Sequence, residues 1–137
     1  MGNRTKAREL AIQVLFYMEF AEGNAGELFE KFCDNFNPAK SLRAFSKALV
    51  CGIYDNLEYV DKVIRKSSKN WRLERMSSVD RSILRLGAYE ILFMDETPPK
   101  VAIDEAIELG KKYGAEESAA FINGILDNIF LSVKEKK

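Results

Sequence analysis

Apolar residues recur along this chain at intervals of three and four, not two, from near its start to near its end. That is the spacing of amphipathic helices rather than strands. Ala7, Leu10, Ala11, Val14, Leu15 and Met18 form the stripe of a first helix running from about Arg4 to Ala21. A loop holding Gly23 and Gly26 precedes a short second helix that ends near Phe36. After Pro38, Ser41 is a candidate cap for a third helix carrying Phe45, Leu49, Val50 and Ile53. A fourth follows Asp55 and Asn56 with Leu57, Val60, Val63 and Ile64, and the polar stretch 67–70 reads as a turn. Ser77, with Asp80 three residues on, resembles a capping box built with the shorter acid. It opens a fifth helix to about Met94. Val79, Ile83, Leu84, Leu86, Ala88, Ile91 and Leu92 make that helix apolar on most sides, as suits a central core element. Pro98 and Pro99 break the chain, and Pro99 can serve as the first residue of a sixth helix. Gly114 is the expected left-handed stop of that helix. A last helix, from about Glu116 to Val133, turns Phe121, Ile122, Ile125, Leu126 and Ile129 inward. The predicted fold is all-α: one helical domain over 1–137 with about seven helices in two packed subdomains, 1–70 and 71–137.

Composition narrows the function more than the fold. With 137 residues, 47% of them hydrophobic, the chain can bury a core of its own. Its 21 basic and 21 acidic residues cancel, so any affinity for a polyanion has to come from local clusters. There is no histidine, which removes the commonest general base and most zinc sites. Cys33 and Cys51 lie far apart with no CxxC spacing. One disulfide is arithmetically possible, and free buried thiols in a reducing cytoplasm are the simpler reading. The N-terminal stretch lacks the uninterrupted apolar run of a signal peptide, and no run approaches a membrane span. The expected location is therefore the cytoplasm.

Local charge is uneven. Arg4, Lys6 and Arg8 crowd the first eight residues without an acid. Cations at a helix start work against the helix dipole, so their placement favours a binding role. Lys62, Arg65, Lys66, Lys69, Arg72 and Arg75 form a second cluster against Glu74 alone, with Trp71 inside it. Lysine and arginine supply phosphate contacts, and an aromatic among them offers a platform for an unpaired base. The same residues also fit a solvated helix face with a half-buried Trp anchor. Asp104 and Glu108 lie one helical turn apart, the spacing of a shared metal or an acid–base pair. Equally, acids early in a helix complement its positive end. No Gly-rich phosphate loop exists, and catalysis is not expected. Asn123–Gly124 interrupts the last helix, either for close helix packing at Gly124 or for a ligand contact by Asn123.

Three segments carry a resemblance to a known family: RTKARELAIQVLF at 4–16, MSSVDRSILRLGAYE at 76–90, and PPKVAIDEAIELGKKYGAEESAAFINGILD at 98–127. The first resembles the arginine-rich opening of the NusB family, the second its central helix, and the third its long C-terminal signature. The resemblance implies a non-enzymatic all-helical factor without cofactor or metal. Such a factor pairs with the ribosomal protein NusE and binds the unpaired boxA element of nascent RNA. It then joins other Nus factors on RNA polymerase to suppress termination, notably in ribosomal RNA synthesis. Carried over by position, Arg4, Lys6 and Arg8 match the basic motif, with Thr5 and Lys6 standing where arginine is frequent. Gln13, Tyr113, Glu117 and Phe121 match positions near the RNA path. Phe16, where tyrosine is common, and Asp80 match the NusE surface. Some relatives also self-associate, so a homodimer is a possible state. Two other readings stay open. One is an RNA-binding domain like that at the N-terminus of some ribosomal RNA cytosine methyltransferases, although no cofactor loop or catalytic cysteine motif is present. The other is a helical scaffold that dimerises and binds no RNA.

Overall fold

The pattern of threes and fours is realised as seven α-helices, with one short 3-10 turn and no strand among the described residues. The computed structural model describes residues 3–69 and 71–135. The helices are α1 (Asn3–Met18), α2 (Ala25–Phe36), α3 (Lys40–Asp55), α4 (Leu57–Ser68), α5 (Ser78–Phe93), α6 (Pro99–Tyr113) and α7 (Ser118–Glu135), with the 3-10 turn at Leu73–Arg75. They fall into two units, one ending at Asp55 and the other beginning at Asn56. The division expected near Asn70 therefore lies one helix earlier, because α4 packs on α5 and α7.

In the first unit, α1, α2 and α3 pack on one another. Leu10, Ala11, Val14, Leu28, Phe29, Leu49, Val50 and Ile53 are buried. Asn24 caps α2 by accepting from the Glu27 N–H at 2.9 Å, and Asn37 ends it in the left-handed region at φ 47°. Ser41 does not cap α3, since the helix already starts at Lys40. Arg43 ties this junction instead: its guanidinium donates to the Pro38 carbonyl at 2.7 and 3.1 Å and to Asn37 Oδ1 at 3.1 Å.

In the second unit α5 is central, packed by α4, α6 and α7. Ile83, Leu84, Leu86 and Ala88 are buried on it, as its all-round apolar pattern requires. Ser77 caps it, its Oγ accepting from the Asp80 N–H at 3.0 Å. The reciprocal half of the capping box is not formed, consistent with Asp being one methylene shorter than Glu. Arg85 of α5 grips Asp61 of α4 with two parallel bonds, Nε to Oδ1 at 2.8 Å and a terminal nitrogen to Oδ2 at 2.9 Å. Both side chains are at most 15% exposed, so this pair is largely desolvated. The stretch expected as a turn from Ser67 begins later, because Ser67 and Ser68 still belong to α4. Asn70 lies outside the described residues.

Two glycines behave differently from expectation. Gly114 ends α6 in an extended conformation, φ −94° and ψ −173°, not in the left-handed one. Its lack of a side chain serves proximity: a Cβ there would fall 2.6 Å from Ser118 Cβ. Ser118 Oγ closes this α6–α7 corner by accepting from the Ala115 N–H at 2.9 Å. The close helix approach expected at Gly124 occurs at Gly87, where a Cβ would meet Leu126 Cδ1 at 2.6 Å. Around Gly124 there is open space.

Candidate nucleic-acid and partner surfaces

Three of the cation positions lie on α1 but do not act alike. An α-helix turns about 100° per residue, so Arg4 and Arg8 fall along one side while Lys6 lies about 160° around the axis from both. Lys6 is exposed and shares its side with Gln13, which is also exposed. Arg4 is exposed too, yet its guanidinium sits 4.4 Å from the centroid of the Phe45 ring of α3. Arg8 lies over the same ring at 5.6 Å and is only 4% exposed. A guanidinium on an aromatic face gains from the ring quadrupole without losing its fork of donors. This contact offsets the dipole repulsion that three cations at a helix start would feel.

The α6–α7 corner gathers the second group. Tyr113 closes α6, Glu117 precedes α7, and Phe121 lies in the first turn of α7 with its N–H bonded to the Glu117 carbonyl at 3.1 Å. Glu117 is exposed and both aromatics are half-buried. Phe121 thus departs from the inward position expected of it, while Ile122, Ile125, Leu126 and Ile129 do turn inward. Its ring meets Trp71 edge-on, at 5.5 Å between centroids and 80° between planes.

Of the two expected partner residues, Phe16 is half-buried on α1 in the first unit and Asp80 lies in the first turn of α5 in the second. Asp80 Oδ1 is shielded from water and has no hydrogen-bond donor among the described residues.

Other candidates for chemistry are structural. Among the described residues no group of three or more Cys, Asp or Glu is placed to hold a metal ion. Glu108 pairs with Lys111 at 3.3 Å instead of with Asp104. Cys33 and Cys51 are free thiols whose pKa values burial pushes up, which suppresses the reactive thiolate. A 610 Å³ cavity in the first unit is lined by Glu22, Glu27, Glu30 and Asp34 against Lys31 and Lys47, a net negative balance that disfavours phosphate. No helix among the described residues is long and apolar enough to cross a membrane.

The model of the NusB family matches residues 5–130. This chain belongs to the NusB family. It is similar to the transcription antitermination protein NusB of Desulfatibacillum aliphaticivorans, at 47% identity over the whole of this chain and 96% of the relative. It is also similar to NusB of Geobacter sulfurreducens, at 45% identity over 99% of each chain. Among solved structures, T. maritima NusB matches with a TM-score of 0.84 and 36% identity, over 98% of this chain and 97% of that one. A chain from a crystal structure of antitermination factors NusB and NusE in complex with dsRNA matches with a TM-score of 0.85 and 31% identity, over 96% of this chain and 98% of that one. The chain is thus a transcription antitermination protein of a family that is not enzymatic.

Within this NusB-family chain, sequence reasoning singled out the cations and missed their support. Phe45 read only as a core position of α3, whereas it carries two guanidinium groups. No local signal announces this, because α1 and α3 are separated by a whole helix. Trp71, left open between core anchor and base platform, is 59% exposed.

Proposed function

We propose that this chain pairs with NusE and binds the unpaired boxA element of nascent RNA, notably ribosomal RNA. In the cytoplasm it then joins other Nus factors on RNA polymerase to suppress termination. The observation that carries this reading is the likeness, over nearly the full chain, to a chain solved in a complex of NusB and NusE with dsRNA, which supports the partner and an RNA ligand; the unpaired boxA element is what the family resemblance implies. Arg4 and Lys6 are the phosphate contacts, and Arg8, closed off on Phe45, holds the Arg4 side of the helix in place. Gln13 extends the Lys6 side. Tyr113 and Phe121 supply faces for unpaired bases, and Glu117 accepts from a base amine. Phe16 and Asp80 meet NusE, the first through apolar contact and the second through its negative charge.

The test is boxA affinity against potassium concentration, with NusE present, for the full chain and for Arg4→Ala/Lys6→Ala/Arg8→Ala. Each lost phosphate contact should flatten the log–log slope by roughly 0.7. An unaltered slope and affinity would remove the N-terminal cations from the RNA site. Calorimetry with NusE checks the partner residues. Phe16→Ala and Asp80→Lys should each weaken binding at unchanged helical content, and unchanged affinity in both would sink the assignment. Sedimentation of the free chain in the same buffer reports whether a homodimer competes with NusE.

A further inference from the structure

A groove runs between α4 and α7 in the second unit. One end is a 480 Å³ cavity that includes Trp71, Phe121 and Gly124 in its lining. The other is a 650 Å³ cavity lined in part by Tyr59, Lys62, Lys66 and Leu131. The two adjoin at Ser67, Lys69 and Asn128. There Asn128 donates to the Ser67 carbonyl at 3.1 Å and ties α7 to α4, so a strand running from one cavity to the other crosses over this contact.

Charge, shape and aromatic placement agree on what this groove takes. Lys62 and Lys66 stand on successive turns of α4, and Lys69 follows the helix end. All three are exposed, and none has an ion-pair partner among the described residues. Arg65 beside them behaves otherwise, paired with Glu74 at 3.1 Å; a backbone hydrogen bond first, and this pairing second, hold that carboxyl below its ordinary pKa. Asp127 is the sole acid lining either cavity; it balances Lys69 at the Trp71 end, and the positive excess lies at the Lys62 and Lys66 end. Aromatic rings stand at both ends, Tyr59 at 51% and Trp71 at 59% exposure. Trp71 is held outward by its local turn. The buried Ser68 hydroxyl donates to the Trp71 carbonyl at 2.8 Å, and Lys69 adopts a left-handed φ of 53°, which costs a non-glycine residue energy. Gly124 leaves the α7 side of the cavity open where any larger residue would intrude.

A row of exposed lysines with exposed aromatic rings at both ends fits a single strand of nucleic acid, whose phosphates meet the charges and whose bases meet the rings. We infer that the α4–α7 groove binds a second stretch of single-stranded RNA, its phosphates along Lys62, Lys66 and Lys69 and a base stacked on Trp71. The inference rests on the proposed RNA contact at Phe121, since Trp71 touches that ring and would continue the strand from it.

Trp71 is the one tryptophan of the chain, so its fluorescence reports on the groove directly. The full chain is titrated with two RNAs, a boxA oligonucleotide extended by about eight nucleotides at each end and an oligouridylate, while a gel-shift follows binding independently. Both RNAs should quench Trp71. Lys62→Ala/Lys66→Ala/Lys69→Ala should weaken the quenching phase and flatten its salt slope by about two units. Trp71→Ala should weaken the extended RNA roughly five- to a hundredfold. Gly124→Leu fills open space on an exposed helix face, so it should keep the fold and abolish the quench. RNA that shifts the chain while Trp71 emission stays constant overturns the groove and leaves the boxA reading standing. Quenching that survives both the lysine and Gly124→Leu variants overturns it as well. If no RNA shifts or quenches, the groove falls, and the boxA reading is judged by its own titration with NusE present. Lysine variants that weaken NusE binding but not RNA would assign the groove to an acidic protein segment and overturn the inference.

Discussion

The two basic clusters look alike in the sequence and differ in what their cations do. At the start of α1, Arg4 and Arg8 fold over Phe45, and Arg8 is nearly sealed from water. On α4 and just past its end, Lys62, Lys66 and Lys69 stay in solvent beside the groove. The difference lies in side chain and neighbour. Guanidinium is planar and weakly hydrated, so it can be stacked and buried, whereas an ammonium holds its water. A dense run of arginines therefore does not guarantee free charge, and a plainer row of lysines can present more of it.

Several substitutions would break or sharpen this contrast. The largest effect belongs to a cation that is fully committed to structure. Arg85→Ala strands Asp61 in a largely desolvated site and should lower stability by about 3–5 kcal/mol. Urea unfolding followed by circular dichroism measures this, and a loss under 1 kcal/mol would show that the pair is effectively solvated.

Next come two glycines that separate a packed face of the second unit from an open one. Gly87→Ala forces a methyl against Leu126 and should cost about 1–3 kcal/mol. Gly124→Ala meets nothing and should stabilise by roughly 0.5–1 kcal/mol through helix propensity. Equal signs in the same unfolding assay would contradict the groove's openness.

Arg8→Ala should destabilise by about 1–2 kcal/mol, because a desolvated cation–π contact is lost. The smallest stability change is expected for Lys6→Ala, within about 0.5 kcal/mol of zero. Its consequence should appear in RNA binding, as a salt slope flatter by roughly 0.7. Reversal of these two results, with Lys6 structural and Arg8 electrostatic, would invert the account of the α1 motif.

Much of this architecture was legible because it depends on neighbours in sequence. Ser77 caps α5 and Pro99 opens α6 as predicted, since each effect is exerted within one turn. The inward faces of α5 and, Phe121 apart, of α7 followed from periodicity for the same reason. Ser41 failed as a cap because the helix starts one residue earlier, at Lys40, which puts Ser41 inside it. Gly114 was assigned to the correct place for the wrong reason: glycine stops helices both by left-handed turning and by admitting a neighbour, and only the position of Ser118 distinguishes the two.

The candidate sites divide along the same line. The residue types and their place in chain order, with the family they indicate, were available from the sequence, because short-range patterns and a long signature are properties of the string itself. What each side chain can reach was decided by tertiary structure. Packing of α1 on α3 closed Arg8 over Phe45, and packing of α4 on α7 left Trp71 beside an open floor at Gly124. Burial, stacking and cavity shape depend on residues tens of positions apart, and no local pattern of polar and apolar residues encodes which of them meet.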